Sequence, residues 1–177
     1  MSITLKPGHD YGFYNGYINN VRDTDLVTAL ETSWADVHNV FPQLTDEQLA
    51  FRYEPGKWSI KEILQHLIDA EHIFCYRILR ISRGDQSPLP PIDMNMFIGN
   101  AHVEKRSAQT MLTELELLRK GTILMFKDMP VDLLDSTGPV RDTVLSVTAL
   151  GFALAGHCAH HMKIVKERYF RQLAASV

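Results

Sequence analysis

The chain has 177 residues, 45% of them hydrophobic, and carries a formal charge of −3. That length supports one sizeable core, and the charges are interspersed with no basic block, which excludes the electrostatic footprint of a nucleic-acid-binding protein. The apolar run Val147 to Gly156 is too short to span a bilayer and the opening MSITLKPGHD lacks the pattern of a signal peptide, so small-molecule partners in the cytoplasm are expected and a membrane is not.

No linker or repeat interrupts the sequence, and residues 1–177 are read as one domain. From Asp25 to Val40 apolar residues recur at helical spacing, Leu26, Leu30, Trp34, Val37 and Val40, until Phe41-Pro42 interrupts the hydrogen bonding. A turn-rich connection closes at Pro55-Gly56. The second predicted helix opens on Ser59, with Glu62 placed to complete a capping box and Trp58 placed to staple onto Ile63. It runs to about Ser82, and Gly84 stops it. The segment from Gly84 to Gly99, GDQSPLPPIDMNMFIG, has no helical or strand period and reads as a lid or rim. A third helix is expected over Asn100 to Asp128, with an irregularity at Arg106-Ser107 where serine can cap a restarted turn. Met129-Pro130 ends it. Ser146 is the expected N-cap of a fourth helix that continues to about Gln172, with Leu145 and Leu150 as its staple. No segment shows a convincing period of two. Four long amphipathic segments most economically pack as an all-α four-helix bundle, whose order and handedness the long loops leave open.

The stretch GHCAHHMKIVKERY, Gly156 to Tyr169, sets three histidines on the fourth helix. His157 and His161 are four apart, which puts their side chains on one face with Cβ atoms about 5–6 Å apart, close enough to share one ion. His160 projects with Lys163, Glu167 and Arg171 on the polar side. A His-x-x-x-His pair alone is weak evidence, because eight histidines supply such spacings by composition. The second helix strengthens it: His66 flanks an apolar stripe of Ile60, Ile63, Leu67, Phe74 and Ile78, a shoulder position like that of the other two. Bundles build metal centres from facing helices, and three neutral imidazoles with an open position suit zinc, and also nickel, iron or manganese.

Glu71 projects near the centre of the same stripe, where an unpaired carboxylate is costly. Two readings stand. One is a buried ion pair with an arginine such as Arg77 or Arg119. The other is a catalytic role, as an acceptor orienting a ligand histidine or as a proton shuttle. Asp69 projects to the polar side and is expected to be solvated. Cys75 and Cys158 have neither metal-binding nor disulfide spacing and read as buried small hydrophobes.

The runs PGKWSIKEILQHLIDAEHIFCYRILRISRGD (55–85) and AGHCAHHMKIVKERY (155–169) resemble the two signature helices of the DinB-like superfamily, closest to its DinB_2 branch and related to the YfiT-type metal-dependent hydrolases. The similarity extends to the FYNGYI segment and the SPLPPID loop. It implies a four-helix bundle, a divalent metal held by His66, His157 and His161, and a homodimer. At the position where relatives often read Asp-Ala-Glu-Arg this chain has His72, which puts any role for an arginine there in doubt. Relatives include S-transferases that use low-molecular-weight thiols and a thiol-dependent isomerase, so the resemblance implies a small-molecule substrate, a thiol among the candidates, beside the hydrolysis suggested by the YfiT-type relatives. Zinc or nickel is the expected metal. Met94, Met96 and Phe97 are candidate walls of a substrate pocket. A non-catalytic metal-binding or interaction bundle is the alternative.

Overall fold

The computed structural model describes residues 2–6, 8–88 and 91–175. A short N-terminal helix, α1 (Asn15–Ile18), follows a 3-10 turn over Gly12–Tyr14. Then come α2 (Leu26–Val40), α3 (Asp46–Ala50), α4 (Ile60–Ser82), α5 (Met94–Asn100), α6 (Ala108–Lys127) and α7 (Val131–Leu134). A hairpin of β1 (Thr137–Val140) and β2 (Thr143–Ser146) leads into α8 (Val147–Ile164), which passes through a π-helical turn at Val165–Tyr169 into α9 (Phe170–Ala175).

Local chemistry sets the long helices. Asp25 caps α2 by accepting from the Val27 amide at 2.9 Å, and its other oxygen takes the Ile3 amide at 2.6 Å, tying the N-terminal segment to the bundle. At α4 the expected capping box is present: Ser59 Oγ accepts from the Glu62 amide at 3.2 Å, and Glu62 accepts from the Ser59 amide at 2.6 Å. Gly84, at φ +78°, ends that helix in the left-handed region that glycine adopts without cost. Ser146 caps α8 through the Ala149 amide, and Leu145 and Leu150 are both buried in the cluster beneath it.

Three expectations are corrected. The third long helix begins at Ala108, not Asn100, because Ser107 accepts from the Thr110 amide at 3.1 Å and starts a new helix; α5 and a 3-10 turn at Val103–Lys105 occupy the preceding stretch. Residues 94–99, expected to lack regular structure, are therefore helical, with Asp93 as N-cap; Leu89 and Pro90 of that loop lie outside the described residues. Residues 137–146, expected to be a plain connection, form the hairpin, with Thr137 opposite Ser146 and Val140 opposite Thr143. A side chain at Gly138 would place its Cβ 2.7 Å from Ile81 Cγ1, so glycine there lets the hairpin lie against α4.

Among the described residues α2, α4, α6 and α8 form the bundle. α2 packs on α6 and α8, and α4 packs on the same two, so the consecutive helices α2 and α4 stand across a diagonal. Connections that skip a neighbour are what the long loops provide. The core falls into two apolar clusters. One, around Leu26, Ile78, Phe126 and Phe152, lies toward the hairpin; the other, around Phe41, Leu64, Met111 and Tyr169, lies at the opposite end.

Between them runs a layer of buried polar groups. Arg119 of α6 donates from Nε and Nη2 to the two carboxylate oxygens of Glu71 of α4, at 2.9 and 2.8 Å, with both side chains almost wholly buried. Its Nη1 donates to Leu30 O and Ser33 Oγ of α2, each at 2.8 Å. Thr122 donates to Glu71 Oε1 at 2.7 Å, and Cys158 of α8 reaches Ser33 O at 3.4 Å. Of the two arginines expected as partners for Glu71, the structure selects Arg119. Removing one member would strand the other charge in the interior. Glu71→Ala is therefore expected to cost about 3–5 kcal/mol in chemical denaturation, whereas Glu116→Ala, which removes a surface pair with Lys120, leaves the unfolding midpoint nearly unchanged.

Candidate metal centre

His66, His157 and His161 converge. His66 Nε2 lies 2.9 Å from His157 Nε2 and 3.1 Å from His161 Nε2, with ring centroids 4.5–4.8 Å apart throughout the trio. Imidazole nitrogens bound to one ion at roughly 2.0–2.1 Å, with bond angles between about 90° and 110°, stand about 2.9–3.4 Å apart. The two edges that meet at His66 fall in that range, and all three donor atoms lie within 4.8 Å of one another. Among the described residues no carboxylate or thiol joins the group. Hydrogen bonding alone serves this cluster poorly: one Nε2–H on His66 is the most it can share with both neighbours, and the buried Nδ1 atoms of His66 and His157 find no partner. Burial pulls His66 down to about 4, and burial followed by the neighbouring imidazoles holds His157 and His161 well below the ordinary histidine range. All three are neutral at pH 7 and present lone pairs.

Aromatic side chains fix the rings from two sides. Trp58 lies 4.8 Å from the His66 ring, and the Tyr169 hydroxyl donates to the Trp58 carbonyl at 2.6 Å. The π-helical turn that ends in Tyr169 brings both Val165 and Tyr169 to the buried side. On the other side Tyr17 of α1 meets the His157 ring edge to face at 5.2 Å. That contact needs Gly156, since a Cβ there would lie 2.0 Å from the Tyr17 carbonyl oxygen. The glycine next to His157 thus lets α1 close on α8.

The trio lies in the wall of an open cleft of about 630 Å³. Phe13, Tyr17, Trp58 and Phe74 supply aromatic walls, Pro91, Ile92 and Met94 an apolar rim, and Arg77, Arg141 and Asp142 the remaining charge. Of the three loop residues expected as walls, Met94 alone lines this cleft. Met96 and Phe97 belong to a separate surface groove with Gln65, Asp69 and Arg106.

The other singled-out residues lie elsewhere. Both Glu71 oxygens are engaged by Arg119 and Thr122, and the orphaned Nδ1 atoms show that it does not orient His66 or His157. Of the two arrangements expected for Glu71, the structure displays the buried ion pair. His160 packs on Tyr17 at 5.3 Å, outside the trio. His72 faces outward, with its Nε2 3.7 Å from Glu114, so the substitution of the family's arginine falls outside the cleft. Asp69 is half-buried, not solvated, and accepts from Gln65 at 2.8 Å; burial raises its pKa. Burial pushes the Cys75 thiol up to about 11 and raises Cys158 as well, so neither is a thiolate at neutral pH. Sequence reasoning missed Tyr17, Arg141 and Tyr169. The first was visible only within FYNGYI, and the other two depend on the hairpin and the π-helical turn.

The family model for the DinB superfamily, in its DinB_2 form, matches residues 29–165. The chain belongs to the DinB superfamily. Two relatives from Oceanobacillus iheyensis, each named "putative metal-dependent hydrolase", are 22% identical to it. The first aligns over 84% of this chain and 87% of its own length, the second over 80% and 82%. YfiT from Bacillus subtilis, described as a probable metal-dependent hydrolase with an unusual four-helix bundle topology, superposes with a TM-score of 0.76 at 16% identity, covering 96% of this chain and 94% of YfiT. The likeness is one of fold. Among the described residues no helix is long and apolar enough to cross a membrane.

Because Gly156 seats α1 on α8, Gly156→Ala is expected to destabilise the DinB-type bundle by about 1–3 kcal/mol through overpacking. Gly16→Ala, where the added carbon meets nothing within 4 Å, is the control expected to leave stability nearly unchanged in the same denaturation assay.

Proposed function

We propose that His66, His157 and His161 hold one divalent metal and that the cleft beside them is the active site of a small-molecule hydrolase. The observation that carries this reading is the meeting of three neutral Nε2 atoms, 2.9 and 3.1 Å from His66 to its two partners, in the wall of an open cleft with no fourth protein ligand among the described residues. An ion bound there supplies Lewis acidity, the means of generating a hydroxide or thiolate nucleophile near neutral pH. The nitrogen donor set favours zinc or nickel, with iron or manganese also matched to imidazole. The names of the Oceanobacillus relatives support the hydrolase reading.

The chain's own residues supply the rest. Trp58, held through its carbonyl by Tyr169, and Tyr17, seated by Gly156, keep the imidazoles aimed at one point. Phe13, Phe74 and the rim of Pro91, Ile92 and Met94 exclude water around an apolar substrate and leave the open face of the trio accessible. Half-buried Cys75 and buried Cys158, their thiols both raised by desolvation, offer no nucleophile, so the attacking group comes from solvent or from a second substrate. A low-molecular-weight thiol as that second substrate defines the S-transferase version of the same site, supported by family resemblance and by a cleft of about 630 Å³. The reading places the protein in the cytoplasm, consistent with two free cysteines, and as a homodimer, for which Leu117 and Leu124, both largely exposed on α6, offer an apolar face.

His157→Ala is expected to abolish stoichiometric metal in elemental analysis of untagged protein, while His160→Ala, outside the trio, retains it. Equal metal content in the two variants discards the ligand assignment. With metal loaded, release of product from ester and amide substrates without added thiol supports hydrolysis, and turnover only with added thiol supports transfer.

A further inference from the structure

Two arginines, Arg77 and Arg141, line the cleft. Among the described residues neither has a carboxylate within salt-bridge distance, unlike Arg52, Arg80, Arg106 and Arg119; Arg22, Arg83, Arg168 and Arg171 share that lack but lie outside the cleft. Aromatic groups hold them instead. The Arg77 guanidinium lies 5.8 Å from the centre of the Phe74 ring and donates to the Tyr14 hydroxyl at 3.2 Å. That of Arg141 lies 4.6 Å from the centre of the Phe13 ring. A guanidinium held on an aromatic face keeps in-plane N–H donors free for a planar anion.

Both supports lead to the histidines. Phe74 is 6.1 Å from the His157 ring. Phe13 is 5.7 Å from Tyr17, which in turn is 5.2 Å from His157. The two cations therefore reach the cleft that holds the trio by different routes, one from the C-terminal part of α4 and one from the tip of the hairpin. Arg141 occupies that tip at φ +54°, in the two-residue turn between Val140 and Thr143. The hairpin, packed on Ile81 through Gly138, carries this charge to the cleft mouth.

We infer that Arg77 and Arg141 form an anion subsite that receives the carboxylate of a small, apolar-bodied substrate while its reacting end faces His66, His157 and His161. At the arginine end of the cleft, apart from the ion proposed at the histidines, the charge balance argues for a monoanion: Asp142, beside Arg141 in the turn, is the one carboxylate among the described residues lining the cleft, so two guanidiniums are offset there by a single negative group. A phosphate dianion would leave excess negative charge there. The walls of Phe13, Trp58, Phe74 and Ile92 match an aromatic or branched aliphatic body. This assignment rests on the reading of the cleft as a substrate site, and its test separates the two.

The test is calorimetric titration of the full chain with phenylacetate, its neutral amide phenylacetamide, and phenyl phosphate, using zinc-loaded and EDTA-treated protein. Phenylacetate is expected to bind at least about tenfold more tightly than the amide in both forms, a gain of the size that charge-assisted hydrogen bonds supply. The double variant Arg77→Gln, Arg141→Gln loses that preference with its zinc content unchanged. Arg141→Gln alone, at an exposed turn, reduces the preference at an unaltered thermal midpoint, which guards against a folding artefact. The inference is overturned by acid and amide binding alike, by a preference that survives in the double variant, by no measurable binding of phenylacetate, or by tighter binding of phenyl phosphate. Persistence of the acid preference in protein that takes up no zinc supports the subsite and strikes the metal reading; zinc uptake without acid preference does the reverse.

Discussion

The structure depends most on one buried interaction, the two-pronged pairing of Arg119 with Glu71. A guanidinium and a carboxylate removed from water are tolerated only where geometry and further hydrogen bonds satisfy them. Here Thr122, Ser33 and the Leu30 carbonyl complete the set, so one polar knot joins α2, α4 and α6. Cys158 reaches Ser33 and brings α8 into it. Apolar contacts on either side are non-directional and would accept small sliding of one helix on another. The knot does not, because each bond has a defined length and direction. It therefore sets the register of the four helices.

That register brings the proposed metal centre together. His66 lies five residues before Glu71 on α4, and His157 is the neighbour of Cys158 on α8, so both ligand-bearing turns are anchored within a turn or two of the knot. A slip of either helix by one residue would rotate an imidazole by about 100° and open the trio. The centre thus takes its precision from a buried ion pair that touches none of its ligands. Tyr17 and Trp58 then restrict the rings where the helices alone would leave them free to turn.

Much of this was legible in order along the chain because it is local. Ser59 with Glu62 and Ser146 announce helix starts through side chains that reach only three residues. The flank positions of His66, His157 and His161 follow from a 3.6-residue repeat. The hairpin was hidden because four-residue strands containing Gly138 and Pro139 carry little alternation, and its stability comes from packing on Ile81. The start of α6 was read too early because the helical turn of Met94–Asn100 and the 3-10 turn after it extend the apolar pattern ahead of Ser107.

The amino-acid order by itself determined that there would be four long helices, where most of them begin and end, and which three histidines two of them carry at the edge of an apolar stripe, since caps and periodicity act through neighbours; α8, buried on every face from Val147 to Cys158, is less amphipathic than expected. The same order also showed that Glu71 needed a partner. Only the tertiary structure decided that the partner was Arg119, 48 residues away, that α2 and α4 would stand diagonally opposed, and that a hairpin would deliver Arg141 to the cleft. Those outcomes turn on how long loops close and on which of several arginines can be desolvated at the lowest cost. Both are properties of the packed whole, and no short window of sequence contains them.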